Sequence, residues 1–153
     1  MLRIVRGNIL TDDAVALVNA VNCVGVMGRG VARQFRDAFP SASRTYIAAC
    51  RAGPLELGRI LPVCMDDGRW IVHLPTKEHW RDPESSMMHV TTSVIETFMW
   101  CRREKIPSIA FPAVGCGNGK LPWEQVERMI TRNASEYPRI DVRLYAPVQG
   151  GEK

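Results

Sequence analysis

The sequence predicts an α/β protein, a three-layer α/β/α sandwich built around a central mixed sheet. Three observations predict it. The apolar runs AVALVNAVN (14–22) and PSIAFPAVG (107–115) lack the polar alternation of a half-exposed strand, so they fit strands covered on both faces. Helical patterns alternate with strand patterns along the chain, the order that places helices on both sides of a sheet. One central pair, GRILPVCM (58–65) and RWIVHLP (69–75), flanks the turn signal Asp66-Asp67-Gly68 and predicts a hairpin.

The remaining elements follow in order. LRIVRG (2–7) reads as a first short strand, and the strand at 14–22 runs into a loop, GVMGRG (25–30). Beyond it Val31, Phe35, and Ala38 with Phe39 recur at helical spacing. Pro40 ends that helix, and Ser41 or Ser43 is expected to cap a second one running to about Arg51, with Gly53 as its exit. After the hairpin comes a polar loop, TKEHWRDPES (76–85). The longest helix is expected from about Ser86 to Glu104, with Met88, Thr91, Ile95, Phe98 or Met99, and Arg102 along one stripe. The strand at 107–115 runs into GCGNG (115–119), and Pro122 suits the first turn of a helix ending near Tyr137. VRLYAP (142–147) supplies the last strand. No repeat, low-complexity tract or linker divides the chain, so residues 1–149 are expected to form one domain and 150–153 a frayed tail.

Composition narrows the function classes. A chain of 153 residues can bury a real core, and 46% hydrophobic with 24% charged residues places it among ordinary globular proteins. It has no run of about 18 apolar residues and no N-terminal segment of signal-peptide form, so the expected location is the cytoplasm, with no membrane partner. The five cysteines are odd in number and contain no CxxC pair, and the three histidines lack metal-ligand spacing. Reduced thiols are expected, with neither a metal site nor a disulfide framework. The net charge of +4 is compatible with an anionic partner but too mild to identify nucleic acid. The densest basic group, Arg102, Arg103 and Lys105, falls at a helix C-terminus, where cations suit the dipole.

The two glycine-rich loops carry the functional signal. Each follows an apolar strand and precedes a helix, and ligands of open α/β sheets lie beyond the carboxyl ends of the strands. Glycines let a ligand approach the main chain, and the unpaired N–H groups of a helix N-terminus favour an anion such as phosphate. Glycines also simply make turns, and each loop alone would read that way. Two loops on one sheet edge could grip a diphosphate from opposite sides. The first loop reads GxxGxG rather than GxGxxG, and neither is followed by GK[ST], which argues against Rossmann hydride transfer and nucleoside-triphosphate chemistry.

VNAVNCVGVMGRGVARQF (18–35), HLPTKEHWR (73–81) and GCGNGKLPW (115–123) together resemble the macrodomains, the ADP-ribose-binding α/β/α fold, and the resemblance runs from VRGNI (5–9) to the last strand. Within that family the chain is most similar to antitoxin macrodomains that remove ADP-ribose from thymidine in DNA, and less similar to the hydrolases of ADP-ribose esters on protein glutamate and aspartate. The resemblance implies an ADP-ribosyl glycohydrolase that needs no metal or cofactor, with ADP-ribose as ligand or product. It implies ADP-ribosylated DNA or protein as partner and raises a cognate ADP-ribosyltransferase, with a monomer expected. Those antitoxins often carry a further C-terminal region, which leaves the toxin partnership open. A non-catalytic ADP-ribose reader would share every loop feature, and removal of phosphate from ADP-ribose 1″-phosphate is a third reading.

The resemblance assigns the residues. Lys77, in PTK, matches the lysine required for catalysis: a water-shielded lysine has a lowered pKa and could attack C1″ of the distal ribose, or, still charged, orient the leaving group. A solvated loop lysine is the plain alternative. Asn22 is placed against the distal ribose as a second catalytic-site residue, although Asn also caps turns at such junctions. Asn8 stands where many macrodomains carry an adenine-binding aspartate, with Ile9 beside it, and an ordinary turn residue competes with that role. Gly28, Arg29, Gly30 and Val31 of the first loop, with Gly115, Cys116, Gly117, Asn118 and Gly119 of the second, are expected around the diphosphate and ribose. Thr76 adjoins the lysine. Tyr145 borders adenine or packs in the core. Protein-ester hydrolases carry an acidic residue in the second loop, whereas CGNGKL here has none between Cys116 and Trp123. His79, Trp80 and Arg81 suit base stacking and phosphate contact, or Trp80 packs against the neighbouring helix. Trp123 reads as packing, and Cys116 as a small loop residue without a histidine partner.

Overall fold

In the computed structural model, which describes residues 1–148, six strands form one sheet. They are β1 (Leu2–Val5), β2 (Ala16–Asn22), β3 (Leu61–Cys64), β4 (Trp70–Lys77), β5 (Ser108–Phe111) and β6 (Asp141–Tyr145). Their spatial order is β1-β6-β5-β2-β4-β3. The hairpin partners β3 and β4 are antiparallel and every other pair is parallel, which is the expected mixed sheet. The expected tail at 150–153 lies outside the described residues.

Four helices cover the sheet: α1 (Gly30–Ala38), α2 (Pro40–Ala52), α3 (Met87–Glu104) and α4 (Trp123–Ala134). Because successive strand side chains point to opposite faces, each central strand feeds two cores. From β2, Ala16 and Val18 join Val94, Phe98, Val126 and Ile130 under α3 and α4. Leu17 and Val21 join Ala32, Phe35, Ala42 and Tyr46 under α1 and α2. The result is the three-layer sandwich.

Several boundaries differ from expectation for physical reasons. Pro40 occupies the first turn of α2 rather than a gap before it, and the preceding Phe39 is its N-cap. Ser41 and Ser43 therefore do not N-cap α2, since both lie inside the helix. A proline has no N–H, and the first helical position needs none. Helix α4 ends at Ala134, short of Tyr137. Helix α3 begins as expected, with the Ser86 hydroxyl accepting from the His89 N–H at 3.4 Å. Its buried face is Val90, Ser93, Val94, Thr97, Phe98, Trp100 and Cys101, while Met88, Ile95 and Met99 are exposed. Polar Ser93 and Thr97 enter the core because their hydroxyls donate to the carbonyls of Arg59 at 3.0 Å and Ser93 at 2.8 Å.

All five cysteines are unpaired. Among the described residues no helix is long and apolar enough to cross a membrane.

Candidate active site

The parallel strands end at a common carboxyl edge, and the sequence-predicted site residues gather there. Asn22 closes β2 and pairs in register with Lys77, which closes β4, across a bulge between Val21 and Asn22. The first glycine loop leaves β2 and the second leaves β5, the strand on the other side of β2. The loops meet, since a Cβ on Gly30 would lie 3.8 Å from Asn118 Nδ2. Gly30, at φ +67°, and Gly115, at φ +77°, adopt left-handed backbone that L side chains rarely take. Arg29, the N-cap of α1, supplies no side-chain acceptor, so the first-turn amides have no cap partner.

Asn22 builds the first loop around its own amide. Its Oδ1 accepts from the N–H groups of Val24 (3.1 Å), Gly25 (3.0 Å) and Val26 (3.2 Å), and its Nδ2 donates to the Val26 carbonyl at 2.8 Å. The Tyr46 hydroxyl, buried under α2, donates to Asn22 O at 2.8 Å and Oδ1 at 3.0 Å. Below it the His73 ring stacks on Tyr46 at 5.0 Å.

A cleft of about 460 Å³ is lined by Arg29, Lys77, Trp80, Arg81, Asp82, Pro83, Gly117, Asn118 and Lys120. Lys77 Nζ donates to the Asp82 carbonyl at 2.9 Å and to the Asn118 carbonyl at 3.5 Å. Partial burial holds this amine below the ordinary lysine value of 10.5; the Asp82 carboxylate opposes the shift, and Arg29 and Lys120 add to it. Trp80 is 39% exposed and lines this cleft. The buried Thr76 hydroxyl donates to Val21 O at 3.4 Å. The Cys116 thiol is pushed up to about 11, chiefly by burial, which disfavours the thiolate at neutral pH.

The second loop has no room for a side chain at Gly119. A Cβ there would overlap both Ser85 Oγ and the Gly115 carbonyl. Ser85 also fixes the loop, its N–H donating to the Gly119 carbonyl at 2.9 Å.

Asn8, Ile9 and Tyr145 lie outside the lining of this cleft, near the ends of β1 and β6. Asn8 Oδ1 accepts from the Leu10 N–H at 3.0 Å and caps a short 3-10 turn, Ile9–Thr11. The Tyr145 hydroxyl donates to Asp12 Oδ2 at 2.6 Å, and Asp12 Oδ1 accepts from Arg143 at 2.7 Å. Sequence reasoning missed Asp82, Lys120, Ser85 and Tyr46. The first three adjoin or sit inside the segments already singled out, whereas an aromatic inside a helix carries no mark of a loop partner 24 positions away.

The Macro domain model matches residues 18–130, a span that holds both glycine loops and the amine between them. The chain belongs to the Macro domain family. It is 42% identical over 154 residues to the DNA ADP-ribosyl glycohydrolase of Thermus aquaticus, covering 97% of this chain and 42% of that protein. The structure of the macrodomain of Mycobacterium tuberculosis DarG superposes with a TM-score of 0.92 at 38% identity, covering 97% of this chain and 99% of that one. Thermosipho africanus DarTG in complex with ADP-ribose gives a TM-score of 0.89 at 28% identity, covering 99% of this chain and 43% of that one. A Thermosipho africanus relative, 28% identical over 169 residues and matching 97% of this chain and 42% of its own length, is a DNA ADP-ribosyl transferase-DNA ADP-ribosyl glycohydrolase fusion protein. The chain thus spans about two fifths of the length of these curated relatives.

Proposed function

We propose that this chain binds ADP-ribose along the carboxyl edge of its sheet and hydrolyses the bond joining C1″ of the distal ribose to a macromolecule. Thymidine of DNA is the first substrate, and mono-ADP-ribosylated aspartate or glutamate of proteins the second. The observation that carries this reading is the Lys77 amine, depressed in pKa and set in one cleft with residues of both glycine loops.

Loop amides and the N-terminus of α1 hold the diphosphate. Asn22 has one amide hydrogen left for the distal ribose, and Asn8, Ile9 and Tyr145 border the adenosine end. The neutral Lys77 amine attacks C1″ as the bond to the base breaks, and the base leaves with the proton the amine gives up. Ring opening yields an imine, and water then adds to its carbon, releasing ADP-ribose and restoring the amine. The balance is one water consumed, with no metal or cofactor in the scheme. DNA ranks above protein esters because the Gly119 position excludes a second-loop carboxylate and because the Thermus relative is named for DNA. A cognate ADP-ribosyltransferase is the natural partner, by analogy with the fusion relative. The unpaired cysteines suit a reducing cytoplasm, and the chain is taken to act as a monomer.

The test pairs an ADP-ribosylated thymidine oligonucleotide with an ADP-ribosylated protein, each treated with wild type and Lys77→Ala. Wild type is expected to release ADP-ribose from the oligonucleotide, and Lys77→Ala to lose at least about 100-fold in kcat/KM. Borohydride is expected to trap a Lys77 adduct. Activity should rise with pH as the amine loses its proton; activity that falls instead would make Lys77 a cationic electrostatic group. Tight binding without release from either substrate would make the chain a reader.

A further inference from the structure

The turn after Lys77 is locked by its own polar groups. The His79 N–H donates to Asp82 Oδ2 at 2.9 Å, the Asp82 N–H returns to His79 O at 3.0 Å, and the Arg81 N–H donates to His79 Nδ1 at 3.1 Å. The carbonyl of the same Asp82 receives the Lys77 amine at 2.9 Å. One rigid turn therefore carries both the amine and the most exposed flat surface of the cleft. Trp80 stands there at 39% exposure, with the Arg81 guanidinium 4.9 Å from its ring centroid and the His79 ring 5.4 Å away, inclined by 31°. A tryptophan left in solvent forgoes the stabilisation that core burial would give it.

The charge around the stack has one sign. Arg29, Lys77, Arg81 and Lys120 line the cleft against a single carboxylate, Asp82, which already accepts from His79. Main-chain amides suffice for a diphosphate, so this cationic rim has capacity for further phosphates. An aromatic–guanidinium stack with cations alongside is the chemistry that holds single-stranded nucleic acid, because every base presents a π-face.

We propose that Trp80 and Arg81 form a nucleobase platform. The base bearing the ADP-ribose stacks on it, while Arg81 and Lys120 neutralise the adjacent backbone phosphates. The inference rests on the DNA reading above and deepens it: the platform fixes the leaving group relative to the Lys77 amine, and it selects a flat base over an aliphatic side chain.

The test compares wild type with Trp80→Ala, Trp80→Phe and Arg81→Ala in three assays. Calorimetry with free ADP-ribose is expected to give dissociation constants within about twofold of one another. Fluorescence anisotropy with unmodified single-stranded oligothymidylate, which needs no turnover, is expected to show binding weakened about tenfold or more by Trp80→Ala and largely kept by Trp80→Phe. Arg81→Ala should lower the slope of log affinity against log salt by about one. Single-turnover release from the ADP-ribosylated oligonucleotide should fall in step with the anisotropy, while release from ADP-ribosylated protein should not. Equal oligonucleotide binding by Trp80→Ala and wild type would overturn the platform. So would a parallel loss of ADP-ribose affinity, or an equal loss on the protein substrate. A wild type that binds oligothymidylate through Trp80 yet releases nothing would overturn the hydrolase reading and leave the platform standing.

Discussion

At the residue scale, Gly119, Gly115 and Gly117 occupy one loop but are constrained differently. Gly119 is hemmed by Ser85 Oγ and the Gly115 carbonyl, and Gly115 has φ +77° and faces the Leu121 side chain. A methyl group added at Gly117 would meet nothing within 4 Å. Overpacking or left-handed strain costs about 1–3 kcal/mol where the surroundings cannot yield. Gly119→Ala and Gly115→Ala are therefore expected to weaken ADP-ribose binding about tenfold or more, and Gly117→Ala to stay within about twofold, as read by calorimetry. Equal tolerance at all three positions would contradict the loop geometry. The glycine pattern itself was legible in the sequence, because turns and helix starts are written in adjacent residues. The reason Gly119 must lack a side chain was not, because Ser85 reaches it only through the fold. Asn22 was likewise found by position, but its structural work, gathering three loop amides on one oxygen, depends on a loop conformation no spacing encodes.

At the scale of elements, α2 and β2 are joined by a bond that reaches the site. The Tyr46 hydroxyl is fully buried and meets Asn22 at both its carbonyl and its side-chain oxygen. Tyr46→Phe keeps the ring against His73 but removes both bonds, taking the hydroxyl donor from the Asn22 carbonyl while Oδ1 keeps its three loop amides. It is expected to cost about 1–3 kcal/mol in urea unfolding and to speed amide exchange at Val24, Gly25 and Val26. Unchanged exchange there would show that Asn22 holds the loop without help from α2. The elements themselves were largely readable: the two-sided strands from unbroken apolar runs, the hairpin from its turn. Helix α3 shows the limit. It carries apolar residues on two faces, so periodicity admitted a stripe through Met88, Thr91, Ile95, Phe98 or Met99, and Arg102; of these the core takes Phe98, alongside Val90, Val94 and Cys101. Ser93 and Thr97 disguised that face, since their hydroxyls are satisfied by carbonyls invisible to a periodicity argument.

At the scale of the whole molecule, His73 ties stability to pH. Its Nε2 donates to the Ala42 carbonyl at 3.2 Å, its Nδ1 accepts from the Asn19 amide at 3.2 Å, and it is fully buried between sheet and α2. Both bonds suit the neutral ring, and burial depresses its pKa from the ordinary 6.5 to about 4. In the unfolded chain the ring takes a proton near its ordinary value, so between those limits the unfolded state binds more protons than the folded one. Stability is thus fully present above the unfolded value and drains away as pH falls towards the folded value, by about 3 kcal/mol in all. Below about pH 4 both states are protonated and this contribution stops changing. Urea midpoints measured across that window are expected to fall with acidity in wild type. In His73→Gln, which keeps an amide donor and acceptor but cannot titrate, the fall should be much shallower from a lower starting stability. The same slope in both proteins would remove His73 from the account and assign the acid sensitivity to carboxylates elsewhere in the sandwich.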